Sequence, residues 1–151
     1  MKVTKKGEYA MRAMVDLALN YNKGLRQVQD IVREEVIPER FLEQILLGLR
    51  KAGFVESKRG VGGGYYLSRP PESISLGEVI SAIDGPLSPL DCVGQSAQVM
   101  CPKEVVCGIR SVMVDVRNAM TKILDNVSLA DVCGRARGMA ERRAQTLMYY
   151  I

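Results

Sequence analysis

The sequence predicts a mainly α protein with a small β wing (α+β): a winged helix-turn-helix joined to a long dimerisation helix. Three observations carry that prediction. Two amphipathic stretches, "LRQVQDIVREE" (Leu25 to Glu35) and "VIPERFLEQILLGLRKAGF" (Val36 to Phe54), follow one another as a helix pair. A basic stretch, "SKRGVGGGYYLSRP" (Ser57 to Pro70), comes next and has the composition of a tight hairpin. Further on, Val105, Ile109, Val112, Val116, Ala119 and Ile123 recur at steps of 4, 3, 4, 3 and 4, the a/d stripe of a coiled coil.

Taken in chain order, Glu8 to Asn20 places Arg12, Asp16 and Asn20 four residues apart among apolar neighbours. That pattern is a helix with one narrow polar stripe and the rest buried. Leu25 to Glu35 is a second, short helix. In the third, Pro38 stands at the expected first helical position and Gly53 just past the end. Between them Phe41, Leu42, Ile45, Leu46 and Leu49 form the apolar face, with Glu39, Arg40, Glu43, Gln44 and Lys51 opposite.

The hairpin runs out through Phe54-Val55-Glu56 and returns through Tyr65-Tyr66-Leu67, with four glycines in five residues at its tip. Glycine supplies positive φ there at no steric cost. A nucleotide-binding loop does not fit. The position that would complete G-x-G-x-x-G holds Tyr65, and a strand followed by Pro70-Pro71 replaces the helix such loops must open. "SISLGEVISAID" (Ser73 to Asp84) is a further short helix, with Ser75 as N-cap and Glu78 three residues on. Pro86 and Pro89 end it. The organisation expected is residues 1–84 as the winged domain, 85–102 as a cysteine-containing loop, 103–127 as the long helix and 128–151 as a C-terminal helix and tail.

Composition narrows the function. At 151 residues the chain is about one domain with an extension. No apolar run approaches the roughly 18 residues of a membrane span, and the start lacks a signal-peptide stretch, so a cytoplasmic protein with no membrane partner is expected. There is no histidine, which excludes histidine-based triads and imidazole metal ligands. Neither a cofactor loop nor an acid pair stands out, so no enzyme is expected. Net charge is +4, with residues 1–70 at +5 and residues 71–151 at −1. The positive excess therefore lies with the helix pair and the hairpin. In a winged helix-turn-helix the second helix of the pair enters the DNA major groove, and Lys58 and Arg59 at the wing would meet phosphates or a narrow minor groove.

Cys92, Cys101 and Cys107 are spaced C-x8-C-x5-C, and Cys133 stands apart. This is neither the spacing of structural zinc nor that of a thioredoxin pair. Thiolates on one loop suit an iron–sulfur cluster. Three small buried hydrophobes would read the same way.

"KGEYAMRAMVDLAL", "IPERFLEQILLGLRKAGFVESKRGVGGGYYLSRP", "ISLGEVISAIDGPL" and the three-cysteine loop occur in this order over roughly residues 1–130. Together they resemble the Rrf-two family of bacterial winged-helix transcription regulators, closest in style to its iron–sulfur branch. The resemblance implies a homodimer joined through the long helix and bound to double-stranded operator DNA. The helix at Pro38–Ala52 would read bases through Arg40, Glu43 and Gln44, with Lys51, Lys58, Arg59 and Gly60 beside it. It further implies a [2Fe–2S] cluster on Cys92, Cys101 and Cys107, and control of iron–sulfur assembly genes. A nitric-oxide-sensing repressor and a cluster-free regulator of cysteine metabolism are the alternatives. Two departures matter. The first cysteine interval is long for that branch, and the position of its histidine ligand holds Arg110. Glu8, supplied across the dimer, is then the expected fourth ligand, with Glu104, Asp91, Cys133 or an exogenous thiol or water still open.

Overall fold

Thr4 starts the first helix. Its hydroxyl accepts from the Gly7 N–H at 3.0 Å and caps α1 (Lys5–Leu19). The computed structural model describes residues 3–94 and 101–150. Ala10, Ala13, Met14 and Leu17 put α1 at the centre of the core. α2 (Val28–Glu35) and α3 (Glu39–Lys51) pack on it, then the hairpin β1 (Val55–Lys58) and β2 (Gly64–Leu67), then α4 (Leu76–Asp84). α5 (Gly108–Asp125) and α6 (Leu129–Tyr149) follow. The architecture is the expected winged helix-turn-helix, mostly helical with one two-stranded antiparallel sheet among the described residues.

On α3, Leu42, Ile45, Leu46 and Leu49 have no exposed surface. Each contributes roughly 1.5–3 kcal/mol by leaving water. Phe41 departs from the expected apolar face: it is half exposed and sits edge-on to Tyr9, centroids 6.2 Å apart. Pro38 is the N-cap and not the first helical residue, and its carbonyl accepts from Phe41 and Leu42. Between α2 and α3 the chain turns at Val36, which adopts the left-handed conformation at φ 52°. A β-branched residue rarely accepts that conformation. Burial of its neighbour Ile37 holds the turn in place.

The expected polar stripe on α1 is not wholly wet. Asp16 is 2 % exposed and receives both Nε and a terminal nitrogen of Arg26, at 2.9 and 2.8 Å. Arg26 also pairs with Glu34 at 2.9 Å, and Arg12 lies 3.7 Å from Glu35. The backbone of Arg26 exchanges two hydrogen bonds with Tyr65, at 2.9 and 2.8 Å, an isolated antiparallel bridge that ties a third segment to the wing.

Ser75 and Glu78 form the expected capping box on α4. The α5–α6 corner is tied to the start of α4, since Leu76 N–H donates to Val127 O and Leu129 N–H to Ile74 O. Gly77 lets Asp125 approach so closely that a Cβ would collide with its carboxylate.

The long helix starts at Gly108, later than the expected residue 103, because Cys107 is its N-cap. Val105 and Val106 belong instead to a short 3-10 turn, Glu104–Val106. No residue of α5 is fully buried, and Ile109, Val112 and Ile123 of the predicted stripe are well exposed. α6 is capped by Ser128 and Asp131 and packs through Leu129 and Cys133. It stays helical through Tyr149, beyond the point where a charged tail was expected. Among the described residues no helix is long and apolar enough to cross a membrane.

Candidate functional site

The exposed side of α3 is set by the same periodicity that buries the other. Arg40, Gln44, Leu47 and Lys51 follow at steps of 4, 3 and 4, with Glu43 beside them, and all are exposed. Arg can bond guanine bidentately, Gln adenine, and Glu can accept from cytosine N4. Arg40, Glu43, Gln44 and Lys51 thus share one open face, and Glu43 adds the one negative group among them.

The wing stands beside that helix. Its register pairs Val55 with Leu67 and Lys58 with Gly64, so Lys58 and Arg59 reach the tip together. Gly60 and Gly62 carry φ of 101° and 73°, and the Gly63 N–H closes the turn on Gly60 O at 3.0 Å. Lys58, Arg59 and Gly60 are exposed. Tyr66 donates its hydroxyl to Glu56 across the strands, which raises its own pKa.

Between the wing and the start of α2 lies a groove of about 500 Å³ lined by Gln27, Arg50, Ser57, Lys58 and Arg59. Gln27 is the N-cap of α2 and makes no side-chain cap hydrogen bond; its carbonyl accepts from the Asp30 and Ile31 N–H groups. Arg50 donates to Ser57 at 3.0 Å. Sequence reasoning missed Arg50 and Gln27. The only available signal was their register: Arg50 trails the exposed stripe of α3 toward the wing, and Gln27 opens a helix.

The described residues on either side of α5's start place the cysteines as follows. Cys92 is half-buried in the 3-10 turn Asp91–Val93, Cys101 is exposed, and Cys107 caps α5 with its Sγ 3.4 Å from the Arg110 N–H. The Arg110 side chain donates to Cys92 O at 3.3 Å and pairs with Glu104 at 3.1 Å. Arg117 donates to Val93 O at 2.5 Å. Arg110 therefore contacts both segments, the Cys92 carbonyl through its side chain and the Cys107 sulfur through its backbone N–H. Glu8 lies in the first turn of α1, paired with Lys5 at 2.7 Å and 3.8 Å from Arg12. Among the described residues no three Cys, Asp or Glu side chains converge as a metal-holding group. Cys133 sits in the hydrophobic core against the Val15 carbonyl, and burial pushes its thiol pKa up. That environment disfavours the thiolate a metal requires. The donor chemistry of the loop fits an iron–sulfur group: soft sulfur ligands, two of them on backbone that α5 holds by hydrogen bonds.

The family model described as "Iron-dependent Transcriptional regulator", Rrf2, matches residues 3–135. The chain belongs to the Rrf2 family. Among Rrf2 relatives, the HTH-type transcriptional regulator IscR of Escherichia coli is 38% identical over 132 residues, covering 87% of this chain and 80% of its own. The HTH-type transcriptional regulator CymR of Bacillus subtilis is 30% identical over 151 residues, 100% of both chains. The structure of CymR, the global cysteine regulator of B. subtilis, superposes with a TM-score of 0.77 at 31% identity, over 89% of this chain and 98% of that one. The structure of T. potens IscR gives 0.73 at 33% identity, over 90% and 88%. This Rrf2 chain is therefore a transcriptional regulator by family, with relatives of both the IscR and the CymR kind.

Proposed function

We propose that the protein is a cytoplasmic, homodimeric, DNA-binding regulator, without enzymatic activity, that holds a [2Fe–2S] cluster. Cys92, Cys101 and Cys107 hold the cluster, and Glu8 of the partner subunit is the fourth ligand. Its operators include those of iron–sulfur assembly genes. The observation that carries the reading is the placement of a three-thiol loop at the N-terminus of a helix whose apolar stripe is open. A second copy would cover Ile109, Val112 and Ile123, and two α3 helices would then face one side of DNA about one turn apart. Arg40 and Gln44 read base edges, Glu43 rejects unsuitable ones, and Lys51, Lys58, Arg59 and the groove at Arg50 hold phosphates. When bound, the cluster supplies a centre sensitive to iron, oxygen or nitric oxide. The chain's own part is to present three sulfurs and leave the fourth position to a harder, exchangeable carboxylate.

Full-length similarity to CymR favours a second reading, a cluster-free regulator of cysteine metabolism. Iron and acid-labile sulfide per chain, measured on anaerobically purified wild type, Cys107→Ala and Glu8→Ala, separate the two. About two irons and two sulfides in the wild type, absent in Cys107→Ala, support the cluster. No metal after reconstitution, with operator binding intact, gives the CymR-like reading. Operator affinity should also fall steeply with salt, and Lys58→Ala and Arg59→Ala should each lower the log–log slope by about 0.9 for every phosphate no longer neutralised. An unchanged slope in both would remove the wing from the interface.

A further inference from the structure

Two carbonyls of the Asp91–Val93 turn are left over by the backbone. Within that turn Val93 N–H bonds Leu90 O and Gly94 N–H bonds Asp91 O, which leaves Cys92 O and Val93 O to find other donors. Both donors come from α5: Arg110 takes Cys92 O at 3.3 Å and Arg117 takes Val93 O at 2.5 Å. These arginines are seven residues apart, two helical turns, and so project from one face. Both are partly buried, whereas Ile109 and Val112 on the stripe are open. Arg110 also engages both ends of the Glu104–Cys107 stretch, through Glu104 at 3.1 Å and through its own N–H to the Cys107 sulfur at 3.4 Å.

We propose that Arg110 and Arg117 are positioning residues: a two-arginine clamp that fastens the Cys92 turn to α5 and pre-assembles Cys92 and Cys107 as a ligand pair in the metal-free protein. The chemistry of the residue type is why the clamp takes this form. A guanidinium carries five donors and no lone pair, so Arg110 orients ligands and cannot itself be one. Its planar fork lets it serve the Cys92 carbonyl and the Glu104 carboxylate together. Three contacts from one side chain and its own N–H bridge pieces of chain eighteen residues apart, so the loop between them is tied at its base before any metal arrives. The purpose of the clamp rests on the cluster reading; its existence does not.

The test begins with metal-free protein. Alkylation rates of the individual cysteines by N-ethylmaleimide, read by peptide mass spectrometry, are compared in wild type, Arg117→Met, Arg117→Lys and Arg110→Met. Cys92 should react faster than in wild type in both Met variants. Cys101, which neither arginine holds among the described residues, should keep its rate. Arg117→Lys, which retains one donor for Val93 O, should restore much of the protection. Equal Cys92 rates in all four proteins would overturn the clamp, as would a parallel rise at Cys133, which would report general unfolding. The second arm is the half-time of iron loss to a chelator from reconstituted protein. A shortening of roughly ten-fold in Arg117→Met supports pre-assembly for the cluster, and an unchanged half-time refutes it. Faster Cys92 alkylation in Arg117→Met, in a protein whose wild type takes up no iron, would confirm the clamp and refute the cluster reading.

Discussion

Arg26 grips Asp16 with two nitrogens, at 2.9 and 2.8 Å, where Asp16 has only 2 % of its surface open to water. The side chain that satisfies this carboxylate belongs to the residue whose backbone pairs with Tyr65 of the wing. One residue thus joins the centre of α1 to the base of the hairpin. Donating to the Asp16 carboxylate also raises the pKa of the Arg26 guanidinium above the ordinary arginine range.

Arg26→Met strands the Asp16 carboxylate. Removing one partner of a buried pair costs about 3–5 kcal/mol. Urea unfolding should show a loss near the lower end, because Arg26 retains 15 % exposure. Arg26→Met combined with Asp16→Leu should recover a large part of it, since no buried charge is then left alone. If the double variant is as unstable as the single, the pair is not the source of the loss.

Glu78 gives a pH signature. The Ser75 N–H, then Arg69 at 2.9 Å, lower its pKa below the usual 4.5. A carboxyl with a depressed folded pKa stabilises fully above its unfolded value and loses that contribution as pH falls through the folded one. Glu78→Ala should therefore cost about 1 kcal/mol at neutral pH. The gap from wild type should shrink steadily below about pH 4.5. Thermal melts of the two proteins from pH 7 down to 3 measure it, and a gap that stays constant over that range would contradict the assignment.

Gly77 permits the contact between α4 and Asp125. A Cβ there would strike the Asp125 carboxylate and lie 3.2 Å from its backbone nitrogen. Gly77→Ala should lose about 1–3 kcal/mol through overpacking. Adding Asp125→Ala should return part of that, with the coupling read from a double-mutant cycle. Strict additivity would show that the two positions do not meet.

Much of this architecture was legible in the chain because it is written in local periodicity. The α3 stripe of Leu42, Ile45, Leu46 and Leu49, the Ser75–Glu78 capping box and the glycine turn at Gly60–Gly63 each need only a few consecutive residues. Arg40, Glu43, Gln44, Lys58 and Arg59 were legible as exposed for the same reason. What stayed hidden depends on groups that meet from a distance. Asp16 has the spacing of a wet position, yet Arg26, ten residues on, folds back over it. Phe41 fits the helical step yet faces Tyr9 at the surface. Periodicity places the start of α5 early because Val105 and Val106 continue the apolar rhythm, while the cap at Cys107 overrides it. Arg110 and Arg117 read as ordinary surface charge, since the carbonyls they serve lie on another segment. The tail has little periodic signal, and Gly134 and Gly138 obscure a helix that the Ser128–Asp131 cap starts and no proline interrupts.

The corner at Gly77 has a mechanical meaning. α5 is anchored to the winged domain near its C-terminal end, while Cys107 stands at the other, about 27 Å away for 18 residues at 1.5 Å each. Such a rod is a lever with its fulcrum at Asp125. A tilt of only ~5° at the fulcrum sweeps the cysteine end through about 2.4 Å over that length, nearly the length of a hydrogen bond. The anchored end lies against α4, which packs on both α1 and α3. A displacement of ångströms at one end of such a rod corresponds to only a few degrees at the other.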